Sequence, residues 1–212
     1  MPDKPSPGTA DWTLPLGRWG QTPVRLHLLF ALVVIGTLYL SWLAGQREML
    51  DNTVWFATLA VAVATLSVAV HVAAHIYAAT QLQASVSPVV VGPHGDFAVS
   101  TNHPEPKAQL AISLAGPGVN ILIAMACIPV VVAASESSAW PLLNPISPEG
   151  LLTGTAWLVT LKLTFWINWT IALLNLLPAR PFDGGQAILA IANQLYAHAS
   201  RRRIERFGSR LG

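Results

Sequence analysis

Four stretches of this chain, residues 24–43, 54–79, 108–135 and 155–179, are long and apolar enough to cross a lipid hydrocarbon layer, which takes about 20 residues of helix. That feature constrains the fold more than any other. Inside lipid every backbone N–H and C=O must be paired within the protein, so the stretches are helices or they do not cross. Composition agrees: of 212 residues, 53% are hydrophobic and 10% charged, where a soluble domain carries about 25% charged residues. Disorder is excluded by the same balance, because it takes low hydrophobicity and high charge. The 8 Trp suit a protein with rings at a lipid–water boundary. One cysteine, Cys127, excludes an internal disulfide framework and a Cys-rich metal site.

The third stretch is expected to be interrupted at Gly116, Pro117, Gly118 and Pro129, and the fourth carries Lys162, Asn168 and Asn175. A fifth segment, 184–198, is short for a span and reads as a helix at the membrane boundary. The expected fold is an all-α polytopic membrane protein of about four transmembrane helices. Residues 1–22 form an N-terminal segment without the apolar core of a signal peptide, 23–198 the membrane domain and 199–212 a basic tail. With an even number of spans, ten of the twelve Lys and Arg fall on the side of the termini and Arg47 alone on the other, Lys162 lying within a span. The positive-inside rule then places both ends in the cytoplasm, with the cell (inner) membrane as the expected location.

Three constellations bear on chemistry. His71 and His75 stand four residues apart in the second span, the spacing at which two helical side chains share a face. Ionisable groups within a membrane are costly and default to a functional reading. Two imidazoles so placed suit a metal ion, a haem or a proton relay alike. Asn175, Pro178, Pro181, Asp183, Gly184 and Gly185 follow one another at the end of the fourth span. Prolines that end a helix and glycines that permit a tight turn present Asp183 at a defined place, either as a functional carboxylate or as the N-cap of the next helix. Gly116, Pro117, Gly118 and Asn120 open the third span, where small residues allow close helix approach and an amide can bond across it. The alternating direction of the spans carries all three constellations to the cytoplasmic end. Two His and one carboxylate form a common ligand set for catalytic zinc.

In this order, His71-x-x-x-His75, Gly116-Pro117-x-x-Asn120, Asn175-x-x-Pro178 and Asp183-Gly184-Gly185 resemble the site-2 protease family, the intramembrane zinc metalloproteases. Leu14 to Arg18 and Pro23 to His27 are similar to the N-terminal pattern of many members. The resemblance implies one zinc ion held by His71, His75 and Asp183, with Gly116, Asn120 and Asn175 ordering the core or the substrate. The expected partners are the bilayer and a transmembrane segment of a client or substrate protein. The family pattern is His-Glu-x-x-His, and here Val72 follows His71. The missing Glu is the general base of that motif, and a positioned base contributes roughly 10²–10⁴ in rate. The expectation is a weakly active or inactive member that keeps its zinc. The alternatives are an active endopeptidase using a displaced base or zinc-bound water alone, or an ion transporter or channel built on the His pair.

In the loop after the second span, β-branched residues at 86–91 and 97–100 flank Gly92, Pro93, His94, Gly95 and Asp96, which predicts a small β-hairpin. In the family such strands lie beside the active site, and an edge there can accept an extended peptide. His94 and His103 read as solvated loop residues, Asn168-Trp169-Thr170 as a sequon unused within a span, and Arg201, Arg202 and Arg203 as a cluster suited to anionic headgroups. No nucleic-acid motif is present, so no nucleic-acid partner is expected.

Overall fold

The computed structural model describes residues 12–19, 22–47, 52–86, 89–93, 95–96, 101–102, 105–135 and 140–208. Its order is β1 (Thr13–Trp19), β2 (Thr22–His27), α1 (Leu28–Gln46), α2 (Thr53–Gln81), β3 (Ser85–Val86), β4 (Val89–Gly92), β5 (Gly95–Asp96), β6 (Thr101–Asn102), α3 (Pro106–Ser135), a 3-10 turn at Trp140–Leu143, α4 (Ala156–Asn175) and α5 (Asp183–Gly208). The fold is mostly helical, and α1 to α4 are each long and apolar enough to cross a membrane. His94, His103 and residues 97–100 lie outside the described residues, as do the side chains of the Arg201–Arg203 cluster.

The expected interruption of the third span does not occur. Gly116, Pro117, Gly118 and Pro129 all lie inside the continuous helix α3. Transmembrane helices tolerate Pro and Gly because neighbouring groups meet the backbone positions that Pro leaves unpaired.

The small sheet is larger than one hairpin. β4 and β5 do pair antiparallel about the Gly92–Gly95 turn, but β4 also runs parallel to β2, with Val24, Leu26 opposite Val89, Val91. β1 pairs antiparallel with β2 and shifts register between Pro15 and Gly17. The sheet order is β1-β2-β4-β5, with β3 and β6 forming a separate pair. Pro15 is tolerated because β1 is an edge strand, where a missing donor breaks no inner ladder. The first helix consequently starts at Leu28 rather than residue 24, and His27 caps it, its Nδ1 accepting from the Leu29 N–H at 3.1 Å.

Packing ties the sheet to the bundle. Val68, Val72 and Ile76 of α2, Val89 of β4, and Val159, Leu163, Ile167 and Ile171 of α4 form one buried cluster. A second joins Ala124, Cys127 and Val131 of α3 to Leu142 and to Phe165 of α4. At the end of α4 remote from the sheet, buried Lys162 donates to Gly150 O at 2.9 Å, Thr153 O at 3.0 Å and Thr153 Oγ1 at 3.2 Å. A charge inside the bundle is thus met by carbonyls of the loop that leads into its own helix.

Candidate metal centre

The C-terminal part of α2, the N-terminal part of α3 and the junction of α4 with α5 meet at the end of the bundle that carries the sheet. His71 and His75, one turn apart on α2, are buried, as is Asp183, the first residue of α5. His71 Nε2 lies 3.2 Å from His75 Nε2, and Asp183 Oδ2 lies 3.3 and 3.2 Å from those two nitrogens. Three donor atoms from two distant stretches of sequence form a nearly equilateral triangle. Among the described residues this is the group of His, Cys, Asp and Glu arranged to hold a metal ion.

The outer nitrogens are occupied. His75 Nδ1 faces Ile112 O of α3 at 2.8 Å, and a carbonyl only accepts, so that nitrogen carries the proton. His71 Nδ1 lies 2.6 Å from Asn120 Oδ1 and donates to it. With both protons on the outer side, each Nε2 presents a lone pair to the other and to the carboxylate. Asp183 is buried beside them, and the N-terminus of α5 favours its ionised form. Three converging acceptors in a buried site call for a cation.

Space for one is left by glycine. A Cβ on Gly116 would fall on His75 Nε2 and lie 2.7 Å from His71 Nε2, so α3 passes the triangle with bare backbone. Asp183 is set by two more glycines. A Cβ on Gly184 would strike Leu176 O and lie 2.7 Å from Leu177 O, and one on Gly185 would lie 2.7 Å from Ala179 O. The first turn of α5 therefore packs directly on the turn after α4, which Phe182 N–H to Ala179 O closes at 3.0 Å.

The structure brings His71, His75, Asp183, Gly116 and Asn120 together, and places Asn175 buried at the last position of α4, donating to Ile171 O at 3.0 Å. Val72 is buried in the apolar cluster with Val89 and the α4 side chains. Two residues with no assigned role in the sequence reading belong to the surroundings of the site: Asn120 Nδ2 donates to Asn168 Oδ1 at 2.6 Å, and Asn168 Nδ2 donates to Ser67 Oγ at 2.9 Å. The available signal was periodicity, since Ser67 precedes His71 by one turn and Asn168 precedes Asn175 by two.

Known proteins are similar to this chain. A zinc metalloprotease of Methanocaldococcus jannaschii is 26% identical over 187 residues, covering 86% of this chain and 46% of the relative. The chain thus spans about half the length of that curated relative. The solved site-2 protease from Methanocaldococcus jannaschii has a similar fold, with a TM-score of 0.59 at 24% identity over 87% of this chain and 74% of that one. The sequence pattern of Peptidase family M50 matches residues 58–212: this membrane protein belongs to that family, the site-2 protease family of metalloproteases.

Proposed function

We propose that the chain is a zinc-binding intramembrane member of its family in which peptide hydrolysis is weak or absent, and that it engages a transmembrane segment of a client protein. The observation that carries the reading is Val72. At the position of the general base stands a side chain without a proton acceptor, buried among Val68, Ile76 and Val89. His71, His75 and Asp183 would hold the ion. A tetrahedron with edges of 3.2–3.3 Å has its centre about 2.0 Å from each corner, the length of zinc bonds to His and carboxylate. Zinc bound there would supply Lewis-acid polarisation of a peptide carbonyl. The chain's own part is to keep both Nε2 lone pairs and an ionised carboxylate aimed at one point and to keep lipid away from it. At position 72 it offers no group to take the proton from attacking water. The distribution of Lys and Arg supports four crossings with the site end and both termini on the cytoplasmic side.

The test combines metal analysis and cleavage on detergent-purified full chain. About one zinc per chain is expected, falling to near none in His71→Ala and Asp183→Ala. Val72→Glu is expected to cleave a model transmembrane substrate roughly 10²–10⁴ times faster than the unaltered chain, with retained zinc showing that the variant is folded and Val72→Gln as the control without a base. Chelator-sensitive cleavage by the unaltered chain at the rate of Val72→Glu refutes the inactive reading. Equal zinc in the ligand variants refutes the site.

A further inference from the structure

The metal-ready form of His71 is not set by its immediate neighbour alone. Asn120 can present either end of its amide to His71 Nδ1. With Oδ1 facing the ring, Nδ1 carries the proton and Nε2 keeps its lone pair. With Nδ2 facing the ring, Nδ1 must accept, the proton moves to Nε2, and the nitrogen that faces the triangle no longer ligates.

The choice is made on α4. Asn168 Nδ2 lies 2.8 Å from Thr164 O in its own helix and 2.9 Å from Ser67 Oγ on α2. A backbone carbonyl only accepts, so the Asn168 nitrogen belongs there and its oxygen turns toward Asn120. That oxygen, 2.6 Å from Asn120, requires an N–H, so the Asn120 nitrogen turns to α4 and its oxygen to His71. Asn120 and Asn168 are both buried, leaving no water to meet a reversed amide, and each reversal would set like groups against each other at hydrogen-bond distance. The direction of the whole chain thus originates at one carbonyl. His75 needs no such relay, because Ile112 O fixes it directly.

We propose that Asn168 is a positioning residue for the metal centre: through Asn120 it holds His71 in the tautomer whose Nε2 can bind a divalent cation, with Ser67 closing the network on α2. The proposal rests on the reading that His71, His75 and Asp183 bind metal. Asn168→Leu keeps the branching at Cγ and removes the polarity, so the Asn120 amide loses its directing partner. Asn168→Asp, as the neutral acid in this buried place, keeps an oxygen for the Asn120 N–H and an O–H on its second oxygen for Thr164 O.

The experiment titrates the detergent-solubilised full chain with Co²⁺ and follows the visible d–d bands, with competition against a chromogenic chelator for affinity. ¹⁵N-histidine spectra of the metal-free chain report the tautomer. For Asn168→Leu the expected result is a 10–100-fold weaker affinity, the cost usual for a partner behind a ligating His, with altered Co²⁺ bands and loss of the single Nδ1–H form of His71. Asn168→Asp is expected to restore affinity and tautomer most of the way. Wild-type affinity and an unchanged His71 tautomer in Asn168→Leu overturn this proposal and leave the metal centre standing. Equal damage by Leu and Asp also overturns it, because packing rather than amide direction would then be at work. No Co²⁺ binding by the unaltered chain removes the metal reading and this one with it.

Discussion

α1 and α4 are nearly the same length, 19 and 20 residues, and either could cross a bilayer. They meet the rest of the molecule in different ways. In the most apolar window of α1 6% of residues are buried, in that of α4 50%. Ser41 alone is buried along α1, whereas α4 buries ten residues, among them Lys162, Asn168 and Asn175. The more polar helix is the one inside. In water burial selects apolar side chains, but lipid solvates those well, and a polar group gains more from a protein partner than from hydrocarbon. Apolarity therefore marks the lipid face, and the polar positions mark where helices and chemistry meet.

The same comparison holds for glycine, and the largest expected effect follows from it. Gly116 of α3 stands against both metal-facing nitrogens, while a Cβ on Gly36 of α1 meets nothing within 4 Å. Gly116→Ala pushes a methyl into the place of the ion. Metal affinity is expected to fall at least about 100-fold, the upper end of what disturbing a ligand's surroundings costs, with zinc analysis and Co²⁺ titration as the measurements. Retained affinity would mean that α3 moves aside without cost, and the claim that bare backbone shapes the site would be wrong.

How much of this could be read from the sequence depended on how local the signal is. His71 and His75 share one helix, so spacing alone put them on one face. The helices α1 to α4 were legible for the same reason, each being a continuous apolar run. Asp183 was brought to the same level by the alternating direction of the spans and made a ligand by the resemblance, but what fixes its place, Gly184 and Gly185 packing against the turn after α4, is not local. Asn168 passed for an unused sequon, because its bond to Asn120 depends on how α3 and α4 cross. The N-terminal strands were missed because Pro15, Gly17 and Pro23 argue against strand, and because β2 finds its parallel partner β4 some 65 residues later. Continuity of α3 through Pro117 was likewise decided by neighbours rather than by local propensity.

A second, smaller effect separates two kinds of buried polar residue on α4. Asn168 acts at the site end, whereas Lys162, six residues earlier, ties down residues 150–153. Lys162→Leu removes charge-assisted hydrogen bonds, each kind worth about 1.5–3 kcal/mol. The expected outcome is a loss of roughly that size in thermal stability in detergent and faster proteolysis between residues 144 and 155. Co²⁺ affinity is expected to stay at the wild-type value. A parallel loss of metal binding would show that the two ends of α4 are coupled, and the separation drawn between them would fail.

The smallest effect belongs to α1. Gly36→Ala makes the same chemical change as Gly116→Ala, yet the added methyl enters open space. In a helix interior in water, Ala is favoured over Gly by about 1 kcal/mol. Much of that reflects backbone exposed to water, which a helix facing lipid does not have. Gly36→Ala is therefore expected to raise stability by less than about 1 kcal/mol, with zinc content unchanged. Thermal unfolding in detergent and metal analysis of the purified variant measure both. A clear loss of stability would mean that this face of α1 rests against protein in the membrane, such as a second copy or a client helix, and that its outward glycine is a contact surface of the kind small residues make between helices.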